Sequence, residues 1–399
     1  MDFFNSLDLK DVGLVVAFLV LSGYLIKSNK AKSNDGGSEK VKINIKEKSE
    51  FKTKGKSDKI NVEAVREDFD WLTEKPLKSY PFKDSEYKLT MGIKFLEAKD
   101  WLLIEDTYLD RINEKTRIVT NSHPDYAPDK DLRRSTVFTS EEGNSAIREF
   151  YDIVTKYMCD KYPMYFIKSE DQIYNKITEE YIPATSEGVD DPESLLIALT
   201  RTIEEDFIIL LPDPTKKDEP YGTEYFFKAG VFAFAAGFDP IEKFNQPLTC
   251  IHGPIPGYEE KLKTSMNRFF DRLKPGEFVS RSNFSIQTHK KLYVDDANKG
   301  YHLTQEELDR PIPYEDLDFD NQVHYRSERQ VLIKMPKTKA TVFTIRTYLH
   351  PLSQLKEDPE VAARLSGTLL KFPDDMARYK NIVQPRPAVL RYLSEISKA

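Results

Sequence analysis

The sequence predicts an α+β fold, an antiparallel β-sheet with flanking helices, in a domain that follows an N-terminal transmembrane anchor. Three observations carry this expectation. An uncharged apolar run at residues 12–26 precedes a lysine-rich stretch. Helical patterns with capping signals stand on either side of runs rich in β-branched and aromatic residues. Two of those runs are joined by only Pro336-Lys337-Thr338-Lys339, the spacing of a hairpin.

Taken in order, residues 1–11 are a polar segment and residues 12–26 span about 22 Å as a helix, short against a hydrocarbon core near 30 Å. Lys10 and Asp11 on one side, and Tyr24 and Lys27 on the other, reach the interfaces by snorkelling. A cleaved leader needs a basic start, whereas Asp2, Asp8 and Asp11 here face a single Lys10. Lys27, Lys30 and Lys32 follow the run, so the positive-inside rule gives a single-pass membrane protein with its bulk facing the cytosol. Residues 27–59 hold eleven Lys against five acids and only isolated apolar residues, the composition of a disordered tether. Gly55-Lys56-Ser57 mimics the end of a phosphate-binding loop, but Glu50 stands where its first glycine belongs.

Residues 60–399 form the folded body. Ile147, Phe150, Tyr151, Val154 and Met158 have helical spacing. Asp191-Pro192-Glu193 supplies an N-cap, a first-turn proline and a first-turn acid ahead of Leu195, Leu196, Leu199 and Ile203. Glu204-Glu205-Asp206 is expected to end that helix at an electrostatic cost, since acids oppose the dipole there. Residues 207–211 and 225–234 read as strands. Leu262, Met266, Phe269 and Phe270 read as a helix, residues 329–335 and 340–348 as the hairpin strands. Asp358-Pro359-Glu360 repeats the capping device, and Pro373 stops the last of these helices.

Composition narrows the function. The chain has 399 residues, 39% hydrophobic and 31% charged, with net charge −7, which fits a globular body with a sizeable core. Residues 60–399 alone carry −11, so nucleic acid is not an expected partner. Two cysteines, Cys159 and Cys250, cannot build a disulfide framework, an iron–sulfur cluster or an all-cysteine zinc site, and a reducing compartment fits them. Glycine-rich dinucleotide, nucleophile-elbow, H-E-x-x-H and C-x-x-C signatures are absent.

Two features point to chemistry. Symmetric closure of the hairpin pairs positions whose numbers sum to 675, which sets Arg329 opposite Arg346. Facing like charges are unfavourable, so anions must sit beside them, either side-chain acids such as Glu328 or a dianionic ligand. Cys250-Ile251-His252-Gly253-Pro254-Ile255-Pro256-Gly257-Tyr258 holds an imidazole on a backbone fixed by two prolines. His252 is therefore either a satisfied structural residue or an axial metal ligand.

The blocks MGIKFLEAKDWLLIEDTYLDRI (91–112), EEDFIILLPD (204–213), AGVFAFAAGFDPIEKFNQPLTCIHGPIPGYEEKLKTSMNRFF (229–270), RSNFSI (281–286), SERQVLIKMP (327–336) and TVFTIRTYLHPL (341–352) resemble one known family over residues 85–393. It is the catalytic α-subunit family of haem-dependent oxidative N-demethylases, the dimethylamine monooxygenase type. The resemblance implies a PAS-like sheet holding haem b, dioxygen activation and oxidation of the N-methyl group of a small amine, releasing formaldehyde. It also implies electrons from a reductase protein that carries flavin and iron–sulfur centres. Ile251, His252, Pro254 and Pro256 match its I-H-x-P-x-P block, making His252 the metal ligand. Arg281, Arg329 and Arg346 lie in matching blocks as partners of the haem propionates, and Glu205 is the group expected to hold a protonated amine. The chain departs from the bacterial type in its anchor, its tether and Phe284. A non-catalytic haem-binding PAS-like sensor and an interaction scaffold with an empty pocket are the rival expectations.

Overall fold

Alternating patterns in the second half of the chain close into one antiparallel sheet. The computed structural model describes residues 60–295 and 303–398. The expected anchor at 12–26 and tether at 27–59 lie outside the described residues. Among the described residues, no helix is long and apolar enough to cross a membrane.

Strands β1 (Lys94–Leu96), β2 (Val137–Phe138), β6 (Asp206–Pro212), β7 (Tyr225–Val231), β8 (Phe278–Gln287), β9 (His324–Lys334) and β10 (Thr341–Pro351) form the main sheet, ordered β1-β8-β9-β10-β6-β7-β2. Strands β3 (Phe166–Lys168), β4 (Gln172–Asn175) and β5 (Glu180–Pro183) make a small sheet of their own. The helices used below are α1 (Tyr108–Val119), α2 (Asn144–Lys161), α3 (Pro192–Thr200), α4 (Leu248–His252), α5 (Tyr258–Lys261), α6 (Lys263–Arg272), α7 (Pro359–Leu370), α8 (Asp374–Tyr379) and α9 (Arg386–Ile396). The α+β expectation with an antiparallel sheet is met.

Both capping devices act as expected. Asp191 accepts a hydrogen bond from the Glu193 amide, Asp358 accepts one from the Val361 amide, and each helix begins at the proline. The hairpin register is also as derived, with Arg346 opposite Arg329. Its turn is clipped from outside. Glu149 on α2 accepts the Lys337 and Thr338 amides at 2.6 and 2.7 Å and the Thr338 hydroxyl at 2.6 Å. Glu149→Ala removes three hydrogen bonds from these part-buried donors and is expected to cost about 1 kcal/mol or somewhat more, read as a shifted urea midpoint. An unchanged midpoint contradicts that role.

Three expectations need correction. Helix α3 ends at Thr200 rather than running to Glu204, so the three acids escape the unfavourable dipole, and Asp206 already belongs to β6. Strand β7 stops at Val231, short of the expected residue 234. Strand β8 was not foreseen at all. Its sequence, FVSRSNFSIQ, carries too many small polar residues to read as a half-buried strand.

Successive side chains point to opposite faces of a sheet, so register sorts every residue. One face carries Arg329 and Arg346 with Phe207, Ile209, Val331, Ile333 and Val342, and is covered by α1–α3. Farther along, the same face meets α7 and α9 through Ile286 and Tyr325. The other face carries Arg281, Gln330 and Ile345 along one row and Val279, Leu332, Phe343 and Ile208 along the next. Helices α4–α6 pack on it through Leu248, Leu262, Met266 and Phe270.

Candidate functional site

Helix α4 is one short turn, and His252 is its last residue. The ring is therefore set by a helix end rather than by an open loop. Its Nδ1 lies 2.8 Å from the Leu248 carbonyl one turn back, so Nδ1 carries the proton and donates it. The lone pair is left on Nε2, the tautomer that a metal-ligating histidine requires. Removal from water lowers the imidazole pKa to about 4 against the pull of the Leu248 carbonyl, with the Arg281 charge assisting, so the ring is neutral at pH 7. Tyr258 fixes the ring plane by stacking on it, with centroids 5.2 Å apart.

Arg281 shares this face. Burial is the main cause that lowers its guanidinium pKa, and Glu328 opposes the shift. Its Nε has no hydrogen-bond partner, nor does Gln330 Oε1 directly across the ladder, nor Thr347 Oγ1 one row on. Buried polar atoms are rarely left unpaired without cause. Beside them Ile208, Val279 and Phe343 are only partly covered. An apolar floor with unpaired polar atoms at its rim and a neutral imidazole on the helix above suits a large flat ligand with an acidic edge.

Lys380, just past α8, extends that rim. Its Nζ donates to the Asn283 Oδ1 at 3.0 Å and to the Phe284 carbonyl at 2.6 Å. Burial brings its pKa down to about 8, with Glu328 opposing and Arg281 assisting. Nothing in the sequence near position 380 signals this, because the residue is brought in from far along the chain.

A family model matches most of the chain. The model for haem-dependent oxidative N-demethylase, alpha subunit-like, covers residues 92–390. The chain belongs to that family. Haem-dependent oxidative N-demethylase-like activity and a haem cofactor follow from the family name. In this member of the haem-dependent oxidative N-demethylase family, the residues on the Arg281 face fit the cofactor. His252 supplies a neutral nitrogen, and Arg281 and Lys380 supply cations for carboxylates.

Arg329, Arg346 and Glu205 lie across the sheet from Arg281 and the packing surface of α4. The anions balancing Arg346 are the chain's own. Its guanidinium, 1% exposed, meets Glu105 at 2.7 Å, Glu204 at 2.9 Å and Glu205 at 3.1 Å, and donates to the Leu103 carbonyl at 2.8 Å. Arg329 donates to the carbonyls of Trp101 and Asp100. Glu205 is held by Arg346 and is 2% exposed, so it does not face the same space as His252. Side-chain acids, the simpler of the two expectations for the arginine pair, supply the balance.

That buried network titrates. Burial, together with Glu205 and Glu105 and against Arg346, pushes the Glu204 carboxyl up to about 7. A carboxyl raised on folding stabilises the protein below its ordinary value of 4.5, and the contribution is lost as pH rises through about 7. Unfolding free energy is expected to decline over that window, and Glu204→Gln flattens the decline. Denaturant melts at about pH 5 and about pH 8 test this; parallel slopes in variant and wild type refute it.

Proposed function

We propose that this chain is a haem b monooxygenase that removes an N-methyl group from a small amine as formaldehyde, using dioxygen. Its sheet is read as PAS-like: the order β7-β6-β10-β9-β8 at the centre of the sheet, with helices α4–α6 lying between β7 and β8 in the chain, supports that. Haem, when bound, supplies the iron at which dioxygen is activated. His252 Nε2 would hold that iron, and the bond from Nδ1 to the Leu248 carbonyl holds the ring's rotation and tautomer. Arg281 and Lys380 anchor the propionates, while Ile208, Val279 and Phe343 exclude water from the macrocycle's face. One observation carries this reading: the histidine with a free Nε2 packs on the same face as the unpartnered guanidinium nitrogen of Arg281.

Reducing equivalents come from a separate reductase with flavin and iron–sulfur centres, because the chain has two cysteines and no dinucleotide signature. The apolar run at 12–26 would hold the chain beside a membrane-bound donor and raise its effective concentration. The decisive experiment reconstitutes the full chain with haemin and supplies dimethylamine, a generic flavin and iron–sulfur reductase system and NADPH. Amine-dependent formaldehyde is the expected product. A bound haem with no formaldehyde from any small methylamine favours the sensor, and absence of a Soret band removes the haem reading altogether.

A further inference from the structure

We propose that the outer surface of α5–α6 is the docking face for an acidic electron-carrier protein. This rests on the haem reading and adds to it the place where the donor binds. Helix α6 is two-sided. Leu262, Met266 and Phe270 are 4–5% exposed and pack toward the Arg281 face of the sheet. Lys261, Arg268, Arg272 and Lys274 are exposed on the outside, and no ion pair engages them among the described residues. Lys261, Arg268 and Arg272 recur at helical spacing, so they form one stripe.

The stripe begins over the segment that carries His252. Gly257 has φ of +76°, and a Cβ placed there would come within 3.4 Å of the Lys261 side chain, so that side chain lies along the loop leaving α4. Beside it, Lys263 sits 4.2 Å from the Tyr221 ring centroid, and Tyr221 itself is 38% exposed. Lys263, which also pairs with Glu259 at 3.1 Å, thus places an aromatic ring beside the cationic stripe, the composition of a contact surface.

Charge distribution selects the partner. Residues 248–274 hold five Lys and Arg against three acids, whereas residues 60–399 together carry −11. A positive face on a negative body attracts an acidic protein here and repels it elsewhere, which orients it on this face. The carrier gives up one electron and is oxidised, the ferric iron takes it and becomes ferrous, and no proton or bond changes in this step.

The probe is an acidic plant-type [2Fe–2S] ferredoxin, used with the full chain. In calorimetry its oxidised form is expected to bind wild type at low salt, about tenfold or more weaker to the double variant Arg268→Glu, Arg272→Glu. After haemin loading, reduction by reduced ferredoxin in stopped flow slows by a similar factor in the variant, and in wild type as salt rises. Reduction by dithionite and the Soret band stay unchanged. Equal binding and equal rates in both proteins overturn the docking face. So does a variant that keeps its ferredoxin affinity but loses binding to phosphatidylserine vesicles, which would assign the stripe to a membrane surface. A wild-type chain with no Soret band fails earlier, at the haem reading, and takes the proposal with it.

Discussion

Replacing His252 by alanine in the full chain abolishes the Soret signature of histidine-ligated haem while leaving the fold intact. The ring makes one hydrogen bond, to its own helix at Leu248, and one stack, on Tyr258, so its removal costs the sheet little. The cofactor loses its only proposed protein bond to iron. Since even the partners of a metal ligand are worth about 10–100-fold in affinity, loss of the ligand itself should weaken haem binding by about a hundredfold. Titration with haemin and circular dichroism on one sample check both halves. A variant that binds haem as wild type does would remove His252 from the iron.

Arg346→Leu has the opposite profile. Three carboxylates converge on that guanidinium inside the protein, and leucine leaves them facing one another without a counter-charge. Breaking a buried pair by deleting one partner costs about 3–5 kcal/mol. The denaturant midpoint should fall steeply, whereas haem uptake per folded molecule should not change, because the residue lies across the sheet from Arg281, where haem is proposed to bind. Arg346→Lys keeps the charge but not the planar fork, and should fall between the two. Loss of haem affinity with full stability in Arg346→Leu would restore the arginine to the cofactor site.

The hairpin arithmetic shows what pattern can give. Arg329 and Arg346 were placed opposite each other from numbering alone, because turn length fixes register. Their partners were not readable in that way. Glu105 and the carbonyls of Asp100 and Trp101 come from a loop more than two hundred residues away, and no local period encodes such a meeting. The block around position 252 reads as a fixed backbone from its prolines and glycines, but the short helix that ends at His252 and sets its ring does not show in that pattern. Glu205 was misplaced for lack of parity: its block was recognised, but the face follows from Asp206 pairing with Ile345. With that register known, Glu205 falls opposite Arg346. Lys380 and the partners of Arg281 stayed hidden because β8 is polar enough to pass for a loop.

Strands β9 and β10 work for two clients at once. Alternate positions belong to a buried electrostatic knot on one side and, in the proposed reading, to the side that would hold haem on the other. Deleting or inserting a single residue in either strand would trade their contents, driving glutamate-seeking arginines under the porphyrin and chamber residues into the knot. Neighbouring substitutions such as those at 329 and 330 should accordingly give unrelated defects, one in folding and the other in pigment. Length in this hairpin is thus less free to drift than its composition.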